Sequence, residues 1–155
     1  MFSEIEQDVK NKNLENYIEL VGAVESDKVR DYMVKSNIFC FTSDIHEGWG
    51  AVLNEAMNSG CAVVANKYIG AVPFLMKDGE SGIMYTDFEG FYHGVKKLID
   101  DKDLRKKIYK NAYLTLADTW NSKVATENLS KLFESILEGK EVEIKDGPAS
   151  KATKI

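Results

Sequence analysis

Phe41-Thr-Ser-Asp-Ile-His-Glu47-Gly-Trp-Gly50-Ala-Val-Leu-Asn-Glu55-Ala-Met-Asn-Ser-Gly60-Cys-Ala-Val-Val-Ala65 reads as strand, loop, helix, turn and strand. The apolar runs at its two ends are too short for helices. Between them Gly50 to Ser59 forms a helical crossover, ended by Gly60 as a C-cap. Short apolar strands joined by helical crossovers make a parallel sheet, so the fold class is α/β. The alternation continues outward. Candidate strands are Tyr17 to Val21, Ile38 to Phe41, Ala62 to Ala65 and Ile83 to Tyr85, each followed closely by turn residues. Asp27 to Lys35 carries Val29, Tyr32 and Met33 at helical spacing, with Ser26 as its N-cap.

Beyond Asp87 the pattern becomes almost wholly helical. Phe91, Val95, Leu98 and Ile99 form one apolar stripe, Leu104, Ile108 and Leu116 a second, and Ala125, Leu129, Leu132, Phe133 and Ile136 a third. All three read as core. Gly139 stops the last helix, which sets the domain at residues 1–139 and leaves 140–155 as a flexible tail of low apolar content.

The composition suits that reading. The 155 residues are 44% hydrophobic and 10% aromatic, enough for a core, and 20 basic against 25 acidic residues leave a net charge of −5. An acidic chain without a long basic run argues against a nucleic-acid or anionic-membrane surface. Glu4, Glu6 and Asp8 near the start are unlike a secretory signal, so the expected location is cytoplasmic. Cys40 and Cys61 lie within apolar runs and read as small buried thiols in a reducing compartment.

The chemistry concentrates where the loop meets the central helix. The first amides of a helix have no intrahelical acceptor and, with the helix dipole, can hold an anion such as a phosphate. Gly48 and Gly50 flank Trp49 there, and their missing Cβ atoms let backbone approach a ligand closely. Glu47 lies in the loop and Glu55 inside the helix. From Ala51 to Glu55 the helix rises roughly 6 Å at about 1.5 Å per residue, close to the span from a diphosphate to the ribose of the same nucleotide. A carboxylate offers two acceptor oxygens to two adjacent hydroxyls, so Glu55 suits a ribose diol and Glu47 a sugar beyond the diphosphate.

Glu47-Gly-Trp-Gly-Ala-Val-Leu-Asn-Glu55-Ala-Met resembles the E-x7-E motif of retaining GT-B glycosyltransferases, the family-4-type enzymes also described as glycosyl transferases group 1. Val21-Gly-Ala-Val24, the run ending at Ser43, Gly60-Cys-Ala-Val-Val-Ala65 and Asp78-Gly-Glu-Ser-Gly-Ile83 resemble that family's other blocks in the same order, so the likeness covers residues from about 14 to 138. The resemblance implies a partial Rossmann-like C-terminal, donor-binding domain. It implies roles as well: Glu47 catalytic, contacting the transferred sugar; Glu55 binding the nucleotide ribose; and the backbone of Gly48, Trp49, Gly50 and Ala51 contacting the diphosphate. The donor would be a nucleotide-diphosphate sugar, no metal or other cofactor would be needed, and the product would be a bacterial polysaccharide or cell-surface glycan.

The chain departs from the family in two ways. Ile69-Gly70 and Pro73-Phe74 stand where the family usually has Gly-Gly and Pro-Glu. By the family's strand order, 3-2-1-4-5-6, the strands at Tyr17, Ile38, Ala62 and Ile83 correspond to numbers 3 to 6. The central pair, a phosphate-contacting Arg and Lys, and the half that binds a glycan or lipid-linked acceptor would precede Met1. The expectation is therefore a C-terminal fragment that is inactive unaided and prone to self-association through open edges. Its rivals are a noncatalytic nucleotide-sugar-binding module that needs a partner and, more distantly, a sugar-nucleotide epimerase.

Other motifs carry less. His46 reads equally as a loop residue without chemistry or as a contact to a phosphate or acceptor, and His93 as a structural or solvent-facing helix residue. Asp101-Lys-Asp103 imitates a metal-binding pair but sits between two helices, where Asp caps. Trp49 reads as packing. No histidine and cysteine cluster has zinc spacing, and Asn128-Leu-Ser130 is only a formal glycosylation sequon.

Overall fold

The computed structural model describes residues 2–151. Strands β1 (Ile38–Phe41), β2 (Ala62–Asn66) and β3 (Ile83–Tyr85) form one parallel sheet in that order, with Ile38 beside Ala62 and Val64 beside Ile83. The α/β class and these three strands are as the sequence indicates. Ala62 to Ala65 in the central strand are fully buried, the two-sided burial that their continuous apolar run demands.

The helices in chain order are α1 (Phe2–Asn11), α2 (Ser26–Lys35), α3 (Ala51–Asn58), α4 (Val72–Leu75), α5 (Phe88–Asp100), α6 (Lys102–Leu114) and α7 (Ser122–Leu137), with a π-helical turn at Thr115–Thr119. They cover both faces of the sheet. Val63 and Ala65 pack with Met33, Phe41, Leu53, Met57 and Leu75 on one face, while Ala62 and Val64 pack with Ile83, Leu98 and Ile108 on the other. Gly94 belongs to the second face because a Cβ there would lie 2.8 Å from Ile83 Cγ2.

The ends of α3 and α7 are closed as their glycines suggest. Gly60 and Gly139 take positive φ, and the bonds Cys61 N to Ala56 O and Lys140 N to Ser135 O close Schellman turns. Asp101 caps α6 by accepting from Asp103 N and Leu104 N, so its role in the structure is a helix cap.

Four expectations are corrected. Tyr17 to Val21 is not a strand, and Tyr17 is 84% exposed. A strand is held by its neighbour, and among the described residues none lies on the free side of β1 to receive it. Ser26 is the first residue of α2 rather than its cap; Glu25 occupies that position without a side-chain bond. Cys40 is exposed on β1, a strand at the edge of the sheet, and only Cys61 is buried. The third apolar stripe is not core: Leu129, Phe133 and Ile136 of α7 are exposed, because no described element covers them, and Ile99 of the first stripe is exposed as well. The sequence reading also missed α1, whose only buried residue is Val9.

Residues 140–151 contain no helix or strand, yet part of this segment is held. Asn128, buried in α7, donates to the carbonyl oxygens of Asp146 and Pro148. Residues 152–155 of the expected tail lie outside the described residues.

Candidate functional site

α3 begins where it does because Gly50 adopts φ 75 and ψ 63, a left-handed conformation that favours glycine. A Cβ at Gly50 would also lie 2.7 Å from Phe41 Cζ, so the end of β1 leaves no room for a side chain. The glycine is required by the chain's own packing. Gly48 differs, with nothing within 4 Å of a Cβ built there. The sequence reading gave both glycines one reason, ligand approach; after folding only Gly48 has open space for it.

The backbone N–H groups of Gly48, Trp49, Gly50, Ala51 and Val52 donate to no acceptor among the described residues, whereas Leu53 N donates to Gly50 O at 2.9 Å. Five consecutive free donors at a helix N-terminus suit an anion. The loop before them is tightened by Asp44, whose carbonyl accepts from Glu47 N and whose carboxylate accepts from the exposed His46 N.

The loop rests on a second segment. Gly70 N donates to Glu47 O at 3.4 Å and Ala71 N to Trp49 O at 3.2 Å. A Cβ at Gly70 would overlap Gly48 O and lie 2.9 Å from Gly48 C, so only glycine allows this approach. The Trp49 ring packs on Phe74 and Trp120, and its Nε1 donates to Asn54 Oδ1 at 3.0 Å. Phe74, one of the departures noted in the sequence, therefore has a place in this packing. The sequence reading missed Gly70, Phe74, Asn54 and Trp120 as supports of the loop. Gly70 and Phe74 each left a signal, inside the irregular Ile69-Gly70 and Pro73-Phe74 pairs, while Asn54 and Trp120 left none.

Glu47 is half-buried, beside the free amides and with its Cγ against Gly50; Glu55 is exposed four residues into α3. Glu55 and Asn58 border two clefts. One, of about 330 Å³, lies between α2 and α3 and includes Ser26, Asp27 and Arg30. The other, of about 380 Å³, lies between α3 and the π-helical turn and includes Tyr113 and Trp120. Neither reaches Glu47. The fold thus gathers Glu47 with the Gly48–Ala51 backbone, and sets Glu55 roughly one helical turn away at the mouth of separate clefts.

The block from Asp78 to Ile83 is structural. Asp78 Oδ1 accepts from Met84 N, and buried Ser81 accepts from Lys77 N. His93 is exposed on α5, with Nε2 3.5 Å from Glu89. Among the described residues no group of three or more His, Cys, Asp or Glu is placed to hold a metal ion, and no helix is long and apolar enough to cross a membrane.

The profile of the family described as Glycosyl transferases group 1 matches residues 1–115. An uncharacterized glycosyltransferase of Methanocaldococcus jannaschii, MJ1069, is 32% identical over 80% of this chain and 32% of its own length. CapM of Staphylococcus aureus, a capsular polysaccharide biosynthesis glycosyltransferase, is 28% identical over 68% of this chain and 28% of its own length. The chain thus spans about a third of the length of these curated relatives. The crystallised C-terminal domain of a glycosyl transferase group 1 family protein, LpcC from Francisella tularensis, is 32% identical with a TM-score of 0.65, over 74% of this chain and 60% of that one. HepE of Anabaena, solved in complex with UDP, is 25% identical with a TM-score of 0.72, over 86% of this chain and 36% of that one.

Proposed function

The chain belongs to the glycosyl transferases group 1 family and has the fold of a GT-B C-terminal domain, and from that premise we propose that it forms the donor site for transfer from a nucleotide-diphosphate sugar. The observation that carries this reading is the row of five unbonded N–H groups from Gly48 to Val52, with Glu47 at one end and Glu55 one turn beyond the other.

In this reading the diphosphate lies on the amides of Gly48, Trp49, Gly50 and Ala51, and Glu55 binds the ribose diol. Glu47 orients the sugar. As the bond from the anomeric carbon to the diphosphate oxygen breaks, negative charge grows on the leaving nucleoside diphosphate. The oriented amides stabilise it without rearranging. Glu47 stabilises the positive charge that develops on the sugar, and transfer proceeds with retention of configuration. No step is assigned to a metal ion.

The acceptor, a glycan or a lipid-linked sugar, binds the remainder of a longer protein or a partner subunit, so the chain alone binds donor without unaided turnover. Its length relative to its relatives and the name of CapM support this reading and a place in polysaccharide or cell-surface glycan synthesis. The location is the cytoplasm, at the inner face of the membrane for the whole enzyme.

Thermal melts with UDP, GDP and ADP test the donor site. One nucleotide at 100 times its Kd should stabilise the fold by about 2.7 kcal/mol, and Glu55→Gln should remove most of that gain. If no nucleotide raises the melting temperature, the donor-site reading fails. Inversion at the anomeric carbon, measured on the longer enzyme, would overturn the assigned stereochemistry.

A further inference from the structure

We infer that Trp120 is a positioning residue for the loop Glu47 to Gly50, acting through Trp49. The consequence for ligand binding rests on the donor-site reading above; the contact itself does not. Trp49 stands between two glycines, so its indole is the sole side chain by which Gly48-Trp49-Gly50 can be gripped. Three rings form one cluster: Trp49 to Trp120 at 5.5 Å, Trp49 to Phe74 at 5.7 Å and Phe74 to Trp120 at 5.9 Å between centroids. Such separations lie in the range where aromatic pairs attract beyond their buried area.

The chain is shaped to deliver Trp120 to this place. α6 does not simply continue; it widens into the π-helical turn Thr115–Thr119, which closes with Trp120 N donating to Thr115 O at 2.9 Å. One extra residue in a turn rotates the residues after it by about 100° relative to a regular helix. Trp120 also carries a cost that phenylalanine would not, since its Nε1 is buried without a partner. Gly70 and Ala71 hold the same loop through backbone bonds. The loop is held by a backbone clamp and an aromatic one, and Trp120 is the part of the latter most remote in sequence.

The protein has two tryptophans, both in the cluster, beside seven tyrosines, so the long-wavelength tryptophan bands of near-ultraviolet circular dichroism report on it. Trp120→Ala should strongly reduce those bands. It should also accelerate hydrogen exchange at least tenfold at Gly70 N and Ala71 N, whose acceptors are on the loop, while Val63 and Val64 change less than twofold. UDP affinity should fall at least fivefold. Trp120→Phe should restore exchange and affinity to within twofold, and Trp120→Leu, which keeps apolar bulk without a ring, should not. Acceleration spread equally over β2, or rescue by leucine as complete as by phenylalanine, would overturn the inference in favour of general packing. If the unaltered chain binds no UDP, the donor-site reading is what fails, and the exchange pattern still decides the role of Trp120.

Discussion

Gly70→Ala places a methyl group where the loop before α3 already lies. Gly70 is not among the positive-φ glycines, so alanine there carries no backbone strain and its whole effect is steric. The new Cβ would overlap Gly48 O and approach Gly48 C to 2.9 Å and Glu47 O to 3.7 Å. The obstacle is backbone, which cannot swing aside as a side-chain tip can, so the two segments must separate. That separation breaks the bonds Gly70 N to Glu47 O and Ala71 N to Trp49 O. Each is worth about 1 kcal/mol, and overpacking adds about 1–3 kcal/mol, so a loss of about 3–5 kcal/mol is expected. For a chain of this size that corresponds to a fall in Tm of roughly 6–20 °C. A displacement of about 1 Å at a site that depends on orientation costs as much as a hundredfold in function, and UDP affinity should fall at least tenfold. Gly48→Ala is the control: it meets nothing within 4 Å, so stability should stay within about 0.5 kcal/mol. Any affinity it loses is then due to blocked ligand approach. Calorimetric melts and UDP titrations of both variants check this. A Gly70→Ala protein that melts and binds like the unaltered chain would refute the close-approach argument, as would a Gly48→Ala protein destabilised as much as Gly70→Ala.

Two more outcomes concern ionisable groups. Asp87 caps α5, and the Gly90 N–H, helped by the Thr86 hydroxyl, holds its carboxyl below the usual carboxylate range. A lowered folded-state pKa stabilises above the unfolded value and is lost as pH falls through the folded one. Asp87→Ala should therefore lower Tm at neutral pH, and the difference from the unaltered chain should vanish in acid; a difference independent of pH would contradict the cap. Burial raises both thiols above their ordinary range, but only Cys40 reaches solvent. A disulfide reagent should modify one thiol in the native protein, faster as pH rises toward that range, and two in urea; equal reactivity of both in the native state would contradict the buried position of Cys61.

Much of the sheet was legible because its signals are local. Ile38 to Phe41, Ala62 to Ala65 and Ile83 to Tyr85 are short apolar runs bounded by turn residues, and the structure pairs all three. The proposed strand at Tyr17 failed because pairing depends on a neighbour, which propensity does not supply. The stripe on α7 was visible in its spacing. Periodicity shows that a face is apolar, not that anything lies over it, and Phe133 remains 56% exposed.

The candidate site divides in the same way. Gly50, the start of α3, the free amides and the positions of Glu47 and Glu55 along the chain belong to one continuous stretch. Sequence by itself determined that much, together with the α/β class. Only the tertiary structure decided that Gly70 must lack a side chain, that Phe74 and Trp120 would meet Trp49, and that Glu55 but not Glu47 would border the clefts beside α3. Those facts join residues far apart along the chain. They depend on how closely one backbone segment can approach another, and no local pattern specifies that distance.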